Sequence, residues 1–97
     1  MSVRRPMSSD TRLALASSVI STAIPGETVI LDAAANGYFS LKGTGARIWD
    51  LLGDTTTEAD IVATIVVEYD VDRVTCERDV RALLDELVER KLVVIAV

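Results

Sequence analysis

The chain contains no histidine and a single cysteine, Cys76. That removes the commonest general base, the commonest metal ligand and any thiol–imidazole pair. What remains for chemistry is carboxylates and hydroxyls, and these are scattered. Asp50, Asp54, Glu58, Asp60, Glu68, Asp70 and Asp72 fall between residues 50 and 72 with no Lys or Arg among them. They lack the loop spacing of a calcium site. They read as a solvated acidic face, with a docking surface for a basic partner as the alternative. Lys42-Gly43-Thr44-Gly45 resembles a phosphate loop only superficially, because the G-x-x-x-x-G-K-[ST] spacing is missing; a plain strand-to-helix turn is the better reading. Cys76 opens an apolar helical stripe without an evident activating neighbour and reads as a small buried hydrophobe. Trp49, beside Ile48, Leu51 and Leu52, reads as a core anchor. No catalytic residue, cofactor or metal site is expected, and an enzyme subunit is disfavoured.

Composition narrows the partners. The 97 residues are one domain's worth of chain, with a modest aliphatic core: 49 % are apolar and only 4 % aromatic. A net charge of −5 argues against nucleic acid, whose binding needs cations to displace counterions, and against an anionic membrane surface. A neutral or basic peptide is compatible with it. One cysteine forbids an intrachain disulfide and fits a reducing cytoplasm. No apolar run is long enough for a membrane span. Residues 1–12 carry Arg4, Arg5 and Arg12 but no apolar stretch typical of a secretion signal, so a flexible tail is expected there, ahead of a domain over 13–97.

The elements needed to position a binding surface follow from pattern. Leu13 to Ile24 reads as one half-buried strand, ended by Pro25-Gly26, a type II turn pair. Thr28 to Asp32 reads as a second strand. Asn36-Gly37 signals the next turn, and Tyr38 to Lys42 reads as a third strand, completing an antiparallel meander. Thr44 is the expected cap of a short helix to Leu52, stopped by Gly53. Thr55 with Glu58 has capping-box spacing ahead of a helix whose stripe is Ile61, Val62, Ile65, Val66 and Tyr69. A third helix over Val74 to Lys91 carries Cys76, Val80, Leu83, Leu84, Leu87 and Val88 at i, i+4, i+7, i+8, i+11 and i+12, with Arg90 and Lys91 in its last turn. Leu92 to Ala96 is a final strand or packed tail.

Three strands followed by three helices give an α+β winged helix-turn-helix with its three-stranded antiparallel sheet at the N-terminus. Such a fold suggests DNA. The third helix, however, sets Arg78, Arg81, Arg90 and Lys91 against five acidic residues, and the second helix is purely acidic. A regulatory or DNA-binding winged-helix module is therefore the secondary alternative. The meander has open edges, and its third strand beside a long amphipathic helix offers an edge and a groove together, which suits β-strand addition by an extended peptide. The competing possibility is that Leu92 to Ala96 covers this edge. An open edge also permits a homodimer as well as a monomer.

The stretch Val29-Ile30-Leu31-Asp32 followed by Gly37-Tyr38-Phe39-Ser40-Leu41-Lys42-Gly43-Thr44-Gly45-Ala46-Arg47-Ile48-Trp49-Asp50-Leu51-Leu52 resembles the "VLLD…G-x-Y-x-x-L-N-x-x-G-x-x-I-W-x-x-L" region of leader-peptide recognition elements. These domains are similar to the pyrroloquinoline quinone biosynthesis protein D family. Asp79-Val80-Arg81-Ala82-Leu83-Leu84-Asp85-Glu86-Leu87 and Leu92-Val93 are similar to that family's "D-V-x-x-x-L-x-x-L-x-x-x-G-L-L" ending. The resemblance spans about residues 13 to 96 and looks most like the standalone lasso-peptide version. Lys42 stands where the family often has Asn, and Arg90-Lys91 replaces the usual Gly. The resemblance implies that the leader of a ribosomal precursor peptide pairs with Tyr38, Phe39, Ser40, Leu41 and Lys42. Its apolar side chains would then meet an exposed row of Arg81, Leu84, Asp85 and Val88 on the third helix. It further implies delivery to a separate leader-cleaving cysteine protease and to an ATP-dependent cyclase, as a gain in effective concentration rather than as catalysis. Read without the resemblance, Arg81 and Asp85 are also a plain i, i+4 surface pair.

Overall fold

The computed structural model describes residues 8–33 and 37–96. Its elements are β1 (Arg12–Leu15), β2 (Val19–Ile24), β3 (Glu27–Asp32), β4 (Gly37–Lys42), α1 (Gly43–Leu51), β5 (Thr56–Thr57), α2 (Glu58–Tyr69), α3 (Arg73–Glu89) and β6 (Val93–Ile95). β2-β3-β4 form the expected antiparallel meander, and β5-β1-β6 form a second, smaller sheet. The architecture is α+β and winged helix-turn-helix-like, with the main sheet ahead of the helices. The Pro25-Gly26 turn is present, with Gly26 at φ 75, a region only glycine enters without penalty. The Asn36 half of the next turn signal lies outside the described residues.

Two strands differ from expectation. Leu13 to Ile24 is not one strand: Val19 N–H donates to the Ala16 carbonyl at 3.2 Å, and this turn at Ala16–Ser18 sends β1 and β2 into different sheets. Leu92 to Ala96 does not cover β4. Instead β6 pairs antiparallel with β1, Leu13 opposite Ile95 and Leu15 opposite Val93. The final strand thus closes the small sheet and leaves β4 at the edge of the large one.

Residues 8–12 are also not a free tail. Thr11 N–H donates to the Ser8 carbonyl at 3.1 Å, Ala59 N–H at the start of α2 donates to the Ser9 carbonyl at 3.0 Å, and Arg12 is already in β1. Arg4 and Arg5 lie outside the described residues.

The helix starts differ in their caps. Lys42, not Thr44, holds the N-cap of α1 and supplies no side-chain bond. Gly43, at φ 55, turns the chain straight from β4 into the helix. Thr57, not Thr55, caps α2 by accepting the Asp60 N–H at 3.2 Å. Asp72 caps α3, its carboxylate accepting the Thr75 N–H at 3.0 Å and the Thr75 hydroxyl at 3.1 Å. These two bonds, the backbone one first, hold the Asp72 carboxyl below the usual aspartate range.

α3 ends in a Schellman motif: Lys91 N–H donates to the Val88 carbonyl and Leu92 N–H to the Leu87 carbonyl, with Lys91 at φ 63. This is the position at which the resembled family carries glycine.

A single core joins the layers. Leu13 of β1, Ile30 of β3, Trp49 of α1, Ile61 of α2, Leu84 and Leu87 of α3 and Val93 of β6 are all buried. Arg47 ties α1 to α2 by a two-pronged contact with Glu68, at 2.9 and 2.8 Å, and also reaches Asp50 at 2.8 Å.

Candidate peptide-binding edge and groove

The hydrogen-bonding phase of β4 decides what its edge offers. Gly43 N–H donates to the Gly26 carbonyl, extending the ladder whose pairs run Glu27–Lys42, Thr28–Leu41 and so on to Asp32–Gly37. Alternate residues of an antiparallel strand bond to the same neighbour, so Gly37, Phe39 and Leu41 bond to β3. The N–H and C=O groups of Tyr38, Ser40 and Lys42 therefore point away from the sheet, and no described strand pairs with them.

Side-chain alternation completes the picture. Phe39 and Leu41 face the helices, Leu41 buried and Phe39 half-buried. Tyr38, Ser40 and Lys42 face outward, Tyr38 being 74 % exposed.

The helical wall beside this edge is the shoulder of α3 that carries Leu83, Glu86 and Arg90. The Leu83 side chain lies at the corner where Leu41 meets Gly45, so that a Cβ on Gly45 would touch both leucines. The Arg90 guanidinium sits over the Phe39 ring, 4.6 Å from its centroid, and is held by Glu86 at 3.0 Å. Arg90, Phe39, Ile30, Asp32 and Leu92 enclose a cavity of about 200 Å³ at the Gly37 end of β4. Another of about 230 Å³, mostly apolar and bounded by Gly45, Ile48, Leu83 and Cys76, opens beyond the Lys42 end. An edge with outward backbone groups, flanked by Leu83, the Arg90–Glu86 pair and two side-chain-sized recesses, suits an extended peptide.

Of the residues singled out from sequence, Tyr38, Phe39, Ser40, Leu41 and Lys42 form this edge. The helical row does not join it. Leu84 is fully buried in the core and presents nothing to a groove. Arg81 turns to the opposite side of α3 and binds the Glu58 carboxylate, only 6 % exposed, at 2.7 Å. Asp85 lies within electrostatic reach of Arg81, and Val88 packs partly buried against the core. Leu83, Glu86 and Arg90 were missed as a set. Periodicity puts Leu83 in the core stripe and Arg90 among the last-turn cations; the only sequence signal at Arg90 is its departure from the resembled pattern.

The far side of α3 also holds a charged cleft of about 560 Å³ lined by Arg73, Arg78 and Arg81. Each arginine is matched by a carboxylate, Glu77 at 3.3 Å, Asp79 at 3.7 Å and Glu58 at 2.7 Å respectively, so the cleft offers little surplus positive charge for a phosphate backbone. Cys76 is buried, and burial first of all pushes its thiol above the ordinary range, away from nucleophilic use. Among the described residues no three His, Cys, Asp or Glu side chains cluster as metal ligands, and no helix is long and apolar enough to cross a membrane.

Strand order, exposed β4 edge and α3 shoulder together form the kind of surface on which a peptide-recognition domain adds an extended strand. Residues 27–93 match the model of the coenzyme PQQ synthesis protein D family, PqqD, and the chain belongs to that family. It is similar to two solved structures. One, described as TbiB1 in complex with the TbiA(beta) leader peptide, is 39 % identical with a TM-score of 0.79, over 82 % of this chain and 93 % of that one. The other, a lasso peptide synthetase B1 complexed with the leader peptide, is 29 % identical with a TM-score of 0.75, over 84 % and 96 %. No curated protein matches the chain.

Proposed function

We propose that this chain binds the leader segment of a ribosomal precursor peptide, of the lasso class, by strand addition to β4, and presents it to a separate leader-cleaving cysteine protease and an ATP-dependent cyclase. The observation that carries the reading is the outward backbone of Tyr38, Ser40 and Lys42 beside the Leu83–Arg90 shoulder of α3. The likeness to two chains described as leader complexes supports it.

A leader paired with β4 exchanges bonds with Tyr38, Ser40 and Lys42. Its residues opposite Phe39 and Leu41 point inward, toward Arg90 and Leu83. Backbone bonds along the edge and two side-chain anchors beside it work against the cost of ordering a flexible peptide. Net binding of about −8 kcal/mol, a micromolar Kd, is expected. Nothing in this process needs a reacting group. The contribution to processing is a raised effective concentration of the leader at the partner enzymes.

The test is fluorescence polarisation with a labelled leader from the candidate precursor. Leu83→Asp is the control, because Leu83 is on the groove wall; Leu84→Asp would place a carboxylate in the core and unfold the chain. Micromolar or tighter binding that weakens at least tenfold in folded Leu83→Asp is the expected result. If no candidate leader binds the folded wild-type chain, with the partner protease added as well, the reading fails.

A further inference from the structure

The opposite edge of the large sheet has a use of its own. Past Val19, which packs half-buried against the core, β2 is exposed on both faces: Ile20 through Ile24 are all exposed, although their neighbours Thr28 and Ile30 on β3 are buried, and no described strand pairs with its outer edge. The helices cover β3 and β4 and stop short of β2. The chain carries 25 charged residues, 10 basic and 15 acidic, yet none between Leu13 and Gly26. Strand edges are normally protected by a lysine, a proline or a bulge. Val19-Ile20-Ser21-Thr22-Ala23-Ile24 has none of these, and its β-branched composition favours pairing.

We propose that β2 is the contact strand of a twofold homodimer, in which β2 of a second copy adds antiparallel about an axis through Thr22. A second copy fits this edge for reasons of charge and register. Two chains of net charge −5 repel, and β2 is an exposed strand where they meet without opposing like charges.

Ala33 N–H donates to the Ser18 carbonyl, so the even-numbered residues of β2 bond to β3 and the backbone groups of Ser21 and Ala23 point outward. Pairing across the axis lets Ser21 exchange bonds with Ala23 of the second copy, twice by symmetry. Thr22 then faces Thr22 of the second copy in a narrow pair, a favourable cross-strand match. Ile20, 63 % exposed, meets Ile24 of the second copy, 46 % exposed, on the outer face, again twice. Shifting the axis by one residue to Ser21 pairs Ile20 with Thr22 and sets Ile24 opposite Ser18, so the apolar match is lost.

The dimer has one six-stranded sheet with a β4 at each end, so both peptide edges stay free. One six-residue strand against its copy is a small contact beside the ~1,600 Å² of a standard stable interface, so a weak, rapidly exchanging dimer is expected.

Sedimentation velocity on the full chain across about 5 to 500 µM tests this, a range that brackets the affinity of a small interface. The weight-average mass should climb from 10.5 kDa towards twice that value. Thr22→Lys, which places two cations on the axis at an exposed site, should remain at the single-chain mass with unchanged circular dichroism. Thr22→Cys should cross-link under mild oxidation at least tenfold faster than Ser40→Cys on the other edge; the native Cys76 is buried and silent. A single-chain mass throughout the series, or equal cross-linking at the two positions, overturns the proposal. Neither readout uses a leader peptide, so failure of leader binding leaves it untouched.

Discussion

Proline placed at two successive positions of β4 separates its free edge from its ladder. The Ser40 N–H points away from β3, whereas the Phe39 N–H is committed to the pair with Ile30. Ser40→Pro therefore deletes no bond of the fold, and an edge position whose N–H faces outward tolerates proline. Phe39, the preceding residue, already lies in the extended region that a following proline requires. The expected cost to stability is about 1 kcal/mol or less. A peptide strand about 4.8 Å away meets the pyrrolidine ring, losing the Ser40 bond and disturbing those at Tyr38 and Lys42. Three bonds at about 1 kcal/mol each amount to about 3 kcal/mol, roughly a 100-fold rise in Kd. Phe39→Pro instead breaks the ladder and removes the ring beneath Arg90, costing about 3 kcal/mol or more of stability. Urea denaturation and fluorescence-polarisation titration of both variants read the two effects separately. Equal leader affinity for wild type and Ser40→Pro would refute pairing on this edge. A Phe39→Pro variant more stable than Ser40→Pro would refute the assignment of which groups point outward.

Three further outcomes follow from the geometry. Lys91→Gly relieves a left-handed residue at the end of α3 and should raise stability by about 0.5 to 1 kcal/mol, seen as a higher urea midpoint at unchanged m-value. Arg81→Ala leaves the buried Glu58 carboxylate unpaired and should destabilise by about 2 kcal/mol, less than a fully buried pair because Arg81 is half exposed; leader affinity should not change, since the pair lies on the far side of α3. Asp72→Ala should lower the urea midpoint at pH 7. Because folding depresses the Asp72 pKa, its contribution is present above the ordinary aspartate value of about 3.9 and lost as pH falls through the lower folded value, so wild type and variant should converge in acid.

Local physics was legible in the sequence, and partner choice was not. The Pro25-Gly26 turn needs only two residues and a positive φ, and it stands where expected. The α3 stripe from Cys76 to Leu87 repeats with helical period, and its buried members are the core. The division of Leu13 to Ile24 carries no such signal. The run is uncharged and strand-forming on both sides of Ser17-Ser18, and what separates β1 from β2 is the pairing of β1 with β6, about 80 residues away in the chain. The same distant pairing opens the β4 edge. The α3 shoulder shows the limit most plainly. Periodicity fixes the angle of each side chain around the helix, but a core stripe has two flanks, and only the placement of β4 decides which one lines a groove. Arg81, Asp85 and Val88 share one flank by helical spacing, and there Glu58 of α2 claims Arg81; Leu83 and Arg90 lie on the flank turned to Phe39 and Leu41.

The two departures from the family ending have different consequences, although they are adjacent. Lys91 occupies the glycine position of the Schellman motif and bears a backbone cost there, while its N–H still closes the motif on Val88. Arg90, one residue earlier, is at the helix C-cap with an ordinary right-handed backbone, and its side chain extends over Phe39 to form one wall of the 200 Å³ recess. The conformational role and the groove-lining role are thus carried by separate residues. Restoring glycine at 91 should stabilise the helix end without moving the guanidinium, because Arg90 is fixed by Glu86 one turn back and by the ring beneath it. Replacing Arg90 should do the reverse, reshaping the recess next to the peptide edge while leaving the helix cap intact.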